Sequence, residues 1–221
     1  MSHQTWYIYG AGGLGVETMD ILQSAIRHGT VAPHRVAFLV DTPTLDTVIG
    51  LPVVAVGHHV AGAKVTIAVG EPTARASLWT KIGLLGLEPA TIVSPNAVIS
   101  SHARLGDGTI VAPYASIQAT AQIGRNVAIN TATIVGHDVI VHDDSVLSSM
   151  TNLGGGVIAG PLAYIGMGAL VKERLRIGRA AIVGMGSVVY ADVPDEMIAI
   201  GNPARIARRN EDKKVFKQEA Q

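Results

Sequence analysis

A histidine and an aspartate stand side by side at positions 137 and 138, in a stretch made mostly of small and β-branched residues. Histidine titrates near neutral pH, so His137 can accept a proton and release it again. The carboxylate of Asp138 can fix the tautomer of the imidazole ring and stabilise the imidazolium. The pair indicates general acid–base chemistry if the two side chains meet. Because neighbours on a strand point to opposite faces, that contact depends on the local corner geometry, and the alternative is a histidine that faces solvent.

The elements that would hold this pair are defined by a period of six residues. Branched aliphatic residues occupy sixteen of the seventeen positions taken every six residues from Val93 to Val189, and small or compact residues stand four positions after each. Helices repeat near 3.6 residues and strands near 2, so this period predicts a parallel β-helix with three hexads per coil, about five to six coils in all. Glycine often follows the aliphatic residue, which we interpret as a demand of the corners for unusual φ and ψ.

The residues before the repeat read as alternating strands and helices. TWYIYG is a strand, a glycine loop and helix follow as far as Gly29, and HRVAFLVD is a second strand that ends in Asp41. AKVTIAVG reads as a third strand and EPTARASLWTKIGLLG as a second helix. This alternation predicts a small parallel α/β sheet.

A glycine motif links the first strand to the first helix. Gly10, Gly12 and Gly15 match G-x-G-x-x-G, and Asp41 supplies an acid at the tip of the next strand. Loop amides and a helix N-terminus in this arrangement attract phosphate. The unit is too short for two nucleotide-binding halves, so we expect half a Rossmann fold, suited to one nucleotide or the pyrophosphate of a sugar nucleotide. The alternative is that the glycines only permit a tight turn.

Composition narrows the class of protein. Seventeen basic and seventeen acidic residues balance, which argues against a nucleic-acid or anionic-membrane partner. Without cysteine, the chain has no disulfides, thiolate metal sites or acyl-cysteine intermediate. The first residues lack the pattern of a signal peptide and no apolar run reaches 18 residues, so we expect a cytoplasmic protein.

A glycine-loop α/β unit that leads into hexapeptide coils resembles the bacterial hexapeptide-repeat sugar acyltransferases, which include nucleotide-linked 4-amino-sugar N-acetyltransferases and sialic acid O-acetyltransferases. The resemblance covers nearly the whole chain, through YIYGAGGLGVE, INTATIVGHDVIV and VYADVPDEMIAIGNPARIARR. It implies an N-terminal half-Rossmann unit followed by a left-handed parallel β-helix. It also implies a homotrimer that acetylates an amino sugar, 4-amino-4,6-dideoxy in type, with acetyl-CoA and without a metal.

The resemblance also implies roles for particular residues. His137 would be the catalytic base, Asp138 its acidic partner and Asn130 a positioning residue. The positions that match the nucleotide-sugar side of the site are Gly10, Gly12, Gly13 and Asp41. The positions that match the acetyl-CoA side are Gly155, Gly156, Pro203 and Arg205. The implied domains are residues 1–88 for the nucleotide sugar, 89–194 for the β-helix, and 195–221 as a C-terminal extension with a polar tail.

The chain departs from the family pattern at two places. Many members carry a histidine where this chain has Leu14, and some carry a second histidine near the position of Ser145 or Val146. The first departure bears on contacts to the sugar, and the second argues against a two-histidine mechanism. An O-acetyltransferase and a non-catalytic nucleotide-binding protein stay open as alternatives.

A zinc site is a further alternative, because γ-class carbonic anhydrases bind zinc on the same kind of prism through three histidines. The candidates are His102, His137 and His142. An open catalytic zinc site needs three protein ligands. Two coils span 36 residues, whereas His102 and His137 are 35 residues apart, so His102 occupies a different position in its hexad. We therefore expect no metal, and we expect Asp143 and Asp144 to be turn residues on an exposed corner.

Overall fold

The computed structural model describes residues 4–216, so the last five residues of the predicted tail lie outside the described residues. The N-terminal unit is an α/β sheet of six strands in the order β3-β4-β2-β1-β5-β6. Its elements, in chain order, are β1 (Thr5–Tyr9), α1 (Gly13–Arg27), β2 (Arg35–Val40), β3 (Thr47–Val48), β4 (Leu51–Ala55), β5 (Lys64–Ile67), α2 (Pro72–Leu84) and β6 (Glu88–Pro89). All pairings are parallel except the β3–β4 hairpin, which was not predicted from the sequence.

Helix α1 follows from its apolar spacing. Its buried residues recur three or four positions apart, among them Thr18, Leu22 and Ala25, as a helix packed on one face requires. The helix ends at Arg27, and Gly29 follows with φ of 70°, a left-handed conformation that glycine adopts without a steric penalty. The predicted stop at Gly29 is thus confirmed.

The period of six forms a left-handed parallel β-helix with a triangular cross-section. Each hexad contributes one two-residue strand, and strands 18 residues apart pair in parallel. The seventeen strands of the prism are β7 (Ile92–Val93), β8 (Val98–Ile99), β9 (Arg104–Leu105), β10 (Ile110–Val111), β11 (Ser116–Ile117), β12 (Gln122–Ile123), β13 (Ala128–Ile129), β14 (Ile134–Val135), β15 (Ile140–Val141), β16 (Val146–Leu147), β17 (Asn152–Leu153), β18 (Ile158–Ala159), β19 (Tyr164–Ile165), β20 (Leu170–Val171), β21 (Arg176–Ile177), β22 (Ile182–Val183) and β23 (Val188–Val189).

The three faces of the prism are named by their strands. The first face contains β7, β10, β13, β16, β19 and β22, the second contains β8, β11, β14, β17, β20 and β23, and the third contains β9, β12, β15, β18 and β21. The first, second and third corners are the turns that follow the strands of the corresponding face. Three strands make one coil, so the prism has between five and six coils, as the sequence predicted.

The interior of the prism is filled by the two columns seen in the sequence. The aliphatic column is almost entirely buried, as at Ile129, Val135 and Val141. Polar members of the small-residue column are buried too, and their hydroxyls donate to backbone carbonyls: Thr133 Oγ1 bonds Ser148 O at 2.9 Å, and Ser145 Oγ bonds Gly160 O at 3.0 Å. Because these donors are satisfied, they can be buried without the cost of a lost hydrogen bond.

The corners contain two positions with special backbone requirements, one that has a positive φ and one that is often glycine. Every sixth residue from Gly108 to Gly186 has a positive φ, and most of these residues are not glycine. The glycines directly after the aliphatic residue have ordinary φ; at Gly160, for example, a β-carbon would lie 2.8 Å from the Arg179 amide nitrogen of the next coil. The interpretation that unusual φ and ψ explain these glycines was therefore wrong. Close approach of successive coils requires them.

The N-terminal unit packs against the beginning of the prism. Residues of β1 and α1, including Trp6 and Leu22, share an apolar cluster with Ile92 and Ile110 of the first face. On the other side of the sheet, α2 covers the third corner, where the ring of Trp79 lies against Gly108. The first half of α1, at Leu14 and Glu17, lies beside Asn130 of the third coil, whereas Leu22 and Ala25 lie beside Ile92 of the first coil.

The C-terminal extension adds β24 (Met197–Gly201) and β25 (Ala204–Arg209) to the first face. The described part of the tail, residues 211–216, then lies back along the prism. The backbone N–H groups of Val215 and Phe216 donate to Glu71 Oε2 at 2.9 and 3.1 Å, and the Phe216 ring meets Tyr164 edge-on at 5.7 Å. Within residues 4–216, no helix has the length and apolar character needed to cross a membrane.

Candidate active site

His137 and Asp138 lie at the second corner of the third coil. Asp138 has φ of 60°, a left-handed conformation that aspartate tolerates better than most residues. This turn brings its carboxylate back to its neighbour, so that Oδ2 lies 2.7 Å from His137 Nδ1. The corner therefore brings together two side chains that a continuous strand would separate. With Nδ1–H donating to Asp138, the other ring nitrogen, Nε2, is left to accept a proton.

Thr120 extends this pair, and it was not anticipated from the sequence. It occupies the second corner one coil earlier, 18 residues before Asp138, and its hydroxyl, which also lies against the carbonyl oxygen of Ala119, donates to Asp138 Oδ1 at 2.6 Å. The hydrogen bonds from Thr120 and then from His137 hold the pKa of Asp138 below its ordinary value, so the carboxylate stays charged. The 18-residue coil length was the available signal, since it stacks position 120 on position 138.

Gly155 stacks on His137 from the following coil. A β-carbon at Gly155 would overlap the imidazole ring and lie only 2.6 Å from its Cε1. The missing side chain therefore leaves space for the ring on the Nε2 side. Its neighbour Gly156 has φ of 71° and donates its backbone N–H to His137 O at 2.8 Å. The structure thus gives both glycines a contact with the predicted base, in addition to the acetyl-CoA role that the resemblance implies.

Asn130 lies in the same coil as His137 but at the first corner, one face away. It lines a cavity of about 240 Å³ between α1 and the prism, together with Leu14, Glu17 and Asn96. Its Oδ1 is buried, and within residues 4–216 it has no hydrogen-bond partner. A buried acceptor is normally paired, so this oxygen is suited to a donor from outside the chain. One chain does not bring Asn130 and His137 together.

The glycine loop separates into two pairs. A β-carbon at Gly10 would lie 2.9 Å from Ala68 O, and one at Gly15 would overlap Gly10, so the fold itself requires these two glycines. A β-carbon at Gly12 or Gly13 would meet nothing within 4 Å. The N-terminus of α1, which starts here, has no side-chain cap and no acidic residue in its first turn. Its free N–H groups and open approach suit a phosphate.

Asp41 follows β2 at the same edge of the sheet. Its Oδ1 accepts a hydrogen bond from Tyr9 OH at 2.6 Å and an ion pair from Lys81. The bond from Lys81, followed by that from Tyr9, lowers the pKa of Asp41. Burial and the neighbouring carboxylate raise the pKa of Tyr9 to about 12. Lys81 was not anticipated from the sequence, and its charge changes the character of this edge from acidic to mixed.

Pro203 and Arg205 lie far along the prism from His137. They belong to the β24–β25 hairpin, which continues the first face beyond β22, and both are exposed. No contact among residues 4–216 joins them to the second corner of the third coil. The three histidines of the zinc alternative do not meet either, because His142 follows a third-face strand and His102 lies two coils before His137. No group of three or more His, Cys, Asp or Glu within the described part of the chain is arranged to hold a metal ion.

The chain is similar to proteins that acetylate amino sugars. GDP-perosamine N-acetyltransferase of Escherichia coli O157:H7 is 32% identical over 140 residues, which cover 62% of this chain and 63% of that relative. PerB from Caulobacter crescentus, solved in complex with CoA and GDP-perosamine, is 30% identical with a TM-score of 0.84, and the match covers 94% of this chain and 99% of PerB. No model of a known protein family matches the sequence.

A second structure points the same way. The acetyltransferase domain of PglB from Neisseria gonorrhoeae, in complex with acetyl coenzyme A, is 28% identical with a TM-score of 0.86. The match covers 93% of this chain and 100% of that domain. The chain therefore belongs to the hexapeptide-repeat sugar N-acetyltransferase family. The predicted family and the prediction of an acetyltransferase are confirmed.

Proposed function

We propose that the protein transfers an acetyl group from acetyl-CoA to the amine of a nucleotide-linked sugar, of the 4-amino-4,6-dideoxy type. The observation that carries this proposal is the His137–Asp138 contact at 2.7 Å on a prism corner, in a chain whose relatives include enzymes named for GDP-perosamine. The family has CoA-bound members, and the chain has no cysteine to carry the acetyl group itself.

The proposed reaction uses His137 as general base. Asp138 holds Nδ1–H, so Nε2 is the proton acceptor. The neutral sugar amine forms a bond to the acetyl carbonyl carbon and gives one N–H proton to Nε2. The C–S bond then breaks, and the departing thiolate of CoA receives that proton from the imidazolium. The products are the N-acetylated sugar and free CoA, and His137 returns to its starting state.

The nucleotide end of the substrate would lie at the carboxyl edge of the N-terminal sheet. Gly12 and Gly13 leave the N–H groups of α1 open to the pyrophosphate, and Gly10 shapes the loop. Asp41, with Tyr9 and Lys81, would contact the nucleoside. The sugar would reach the cavity at Asn130, whose unpartnered Oδ1 can accept an N–H bond from the amine. Both substrates are charged nucleotides, which is consistent with the proposed cytoplasmic location.

The proposed assembly is a homotrimer, because one chain leaves the cavity and His137 at different corners. The first corner and the second face expose a strip of apolar side chains, namely Val98, Tyr114, Ile134, Met150, Met167, Leu170 and Met185. Large apolar side chains exposed together on one side of a protein often mark an interface. A second copy on this strip would bring its His137 toward the cavity of the first, and acetyl-CoA would lie in the groove between prisms along Gly155 and Gly156, with Pro203 and Arg205 toward its adenine end.

The test is acetyl transfer by the purified protein. We expect turnover with GDP-perosamine or a UDP- or dTDP-linked 4-amino-4,6-dideoxy sugar, measured as CoA thiol release and as the mass of the acetylated product. His137→Asn should lose at least a hundredfold in kcat. Light scattering should give about three times the 23.0 kDa chain mass. The proposal would be contradicted if the protein acetylated a sugar hydroxyl group instead of the amine, or if it acetylated none of these nucleotide sugars.

A further inference from the structure

We propose that Thr120 is a positioning residue for proton transfer at His137, acting through Asp138. This inference rests on the proposed function. Among residues 4–216, Thr120 has no hydrogen bond to the imidazole ring, and its hydroxyl is linked to His137 through the Asp138 carboxylate.

The geometry is a relay across two coils. The Thr120 hydroxyl donates to one carboxylate oxygen of Asp138 at 2.6 Å, and the other oxygen lies 2.7 Å from His137 Nδ1. The side chains of His137 and Asp138 are 65% and 62% exposed, so packing alone does not fix them. A carboxylate held at one oxygen presents the other in a defined direction. Thr120 therefore sets the orientation of the group that orients the base.

The backbone at Thr120 gives an independent reason. Its φ is 64°, in the left-handed region that β-branched residues avoid. Every sixth residue from Gly108 to Gly186 shares this conformation, and Thr120 is the only β-branched residue in that column. Glycine, asparagine or aspartate would fit the corner with less strain, as Asn126 and Asp144 do. Strain kept at one corner of a repeating structure indicates that the side chain is retained for a role other than folding.

The surroundings limit what else can act on Asp138. The second-corner residues of the adjoining coils are Gln118, Ala119 and Thr120 on one side and Gly154, Gly155 and Gly156 on the other. None of these titrates, so His137 is the titratable group that faces the carboxylate within its corner. Removal of the Thr120 hydroxyl should move the pKa of Asp138 back toward its ordinary value, since this bond is the largest cause of its lowering.

The test compares three variants of the full-length protein. Thr120→Val keeps the shape and removes the hydroxyl, Thr120→Ser keeps the hydroxyl, and Thr120→Gly removes both hydroxyl and strain. We expect kcat to fall about tenfold in the Val and Gly variants, with the KM for acetyl-CoA unchanged, and to be retained in the Ser variant. The part of the acid limb of the pH–rate profile that reflects protonation of Asp138 should move to higher pH in the Val and Gly variants, because loss of the Thr120 bond lets the pKa of Asp138 rise toward its ordinary value. The melting temperature should rise in Gly although its activity falls.

Other results have defined meanings. If Thr120→Val keeps the kcat and the pH profile of the wild type, the inference is overturned and the proposed function stands. The same holds if Thr120→Ser loses as much activity as Thr120→Val. If the wild-type protein acetylates no nucleotide sugar, the proposed function fails, and the contact is judged by NMR titration of the His137 ring. A titration curve that differs between wild type and Thr120→Val would support the positioning contact, and identical curves would overturn it.

Discussion

At the scale of single residues, a missing side chain is as informative as the histidine itself. Gly155 has an ordinary φ, and the group that a β-carbon would overlap there is the imidazole of His137. We predict that Gly155→Ala lowers kcat/KM about a hundredfold, because displacement of a catalytic group by about 1 Å can have this effect. Thermal unfolding should barely change, since the exposed ring can move aside. A fully active variant would show that the ring does not need this space.

Gly13 offers a second residue-scale prediction with a matched control. Gly13 opens α1 and Gly83 lies within α2, and a β-carbon would meet nothing within 4 Å at either position. Both Gly→Ala changes should stabilise the fold by about 0.4–1 kcal/mol, because they restrict the unfolded chain. Only Gly13→Ala should weaken the binding of GDP, UDP or dTDP, as measured by isothermal titration. If the two variants bind nucleotide with equal affinity, Gly13 does not contribute to phosphate binding.

Some contacts of the candidate site could be predicted from the sequence and others could not. His137 and Asp138 are adjacent in the chain, so the sequence alone suggests their pairing, and only the corner geometry decides whether they meet. Thr120 and Gly155 reach the same pair from neighbouring coils, 18 residues away on either side. The coil length follows from the period of six. The sequence does not reveal which residues of the corners have a positive φ, and this backbone conformation determines the direction of the side chains at the corner.

At the scale of elements, the two corner columns predict different responses to the same substitution. At Gly160 an added methyl group would meet the backbone of the next coil at 2.8 Å, whereas at Gly168, with φ of 68°, it would meet nothing within 4 Å. We expect Gly160→Ala to cost about 1–3 kcal/mol through overpacking. Gly168→Ala should cost about 1 kcal/mol or less through its left-handed backbone, which Ala132 and Ala180 also adopt. Urea unfolding of the two variants measures the difference, and equal losses would contradict the close-approach explanation.

The elements of the prism could be predicted because one interior column repeats without a slip. The N-terminal unit was predicted less completely. Its β3–β4 hairpin turns through Ile49 and Gly50, both at positive φ, and an isoleucine in such a turn gives no recognisable signal. The sequence also placed Asp144 on an exposed corner. That expectation was wrong, because α2 covers the third corner and leaves Asp144 only 7% exposed.

At the scale of the whole molecule, the joint between the N-terminal unit and the prism contains a buried cation. Arg75 of α2 has no exposed surface, and its guanidinium donates to Asn126 O and Asn126 Oδ1 at 2.8 and 2.9 Å and to Ile67 O and Val69 O at 2.8 and 3.1 Å. Asn126 in turn donates to Asp144 Oδ1 at 2.7 Å. Burial lowers the pKa of Arg75 to about 10, so it remains protonated at neutral pH. No sequence pattern distinguishes this arginine from a surface residue of α2.

This joint predicts how the two parts of the molecule depend on each other. Arg75→Met removes the donor from four carbonyl oxygens at a buried interface, and we expect a loss of about 3–5 kcal/mol in unfolding free energy. Arg75→Lys should not recover it, because an ammonium lacks the planar fork that reaches both units. Nucleotide affinity should fall as well, since Arg75 binds the carbonyl oxygens of Ile67 and Val69, at and just after the carboxyl end of β5, on the sheet edge proposed for the nucleotide.

Arg125 provides the matched control at the same joint. It pairs with Asp143 at 3.1 Å and lies over the ring of Trp79, but about half of its side chain is exposed. Arg125→Met should therefore cost about 1 kcal/mol or less. Urea unfolding and nucleotide titration of the three variants decide the matter. If Arg75→Met unfolds like Arg125→Met and binds nucleotide like wild type, apolar packing of α1 alone orients the N-terminal unit. If Arg75→Met is the weaker in both measurements, the buried cation holds the nucleotide edge over the first face.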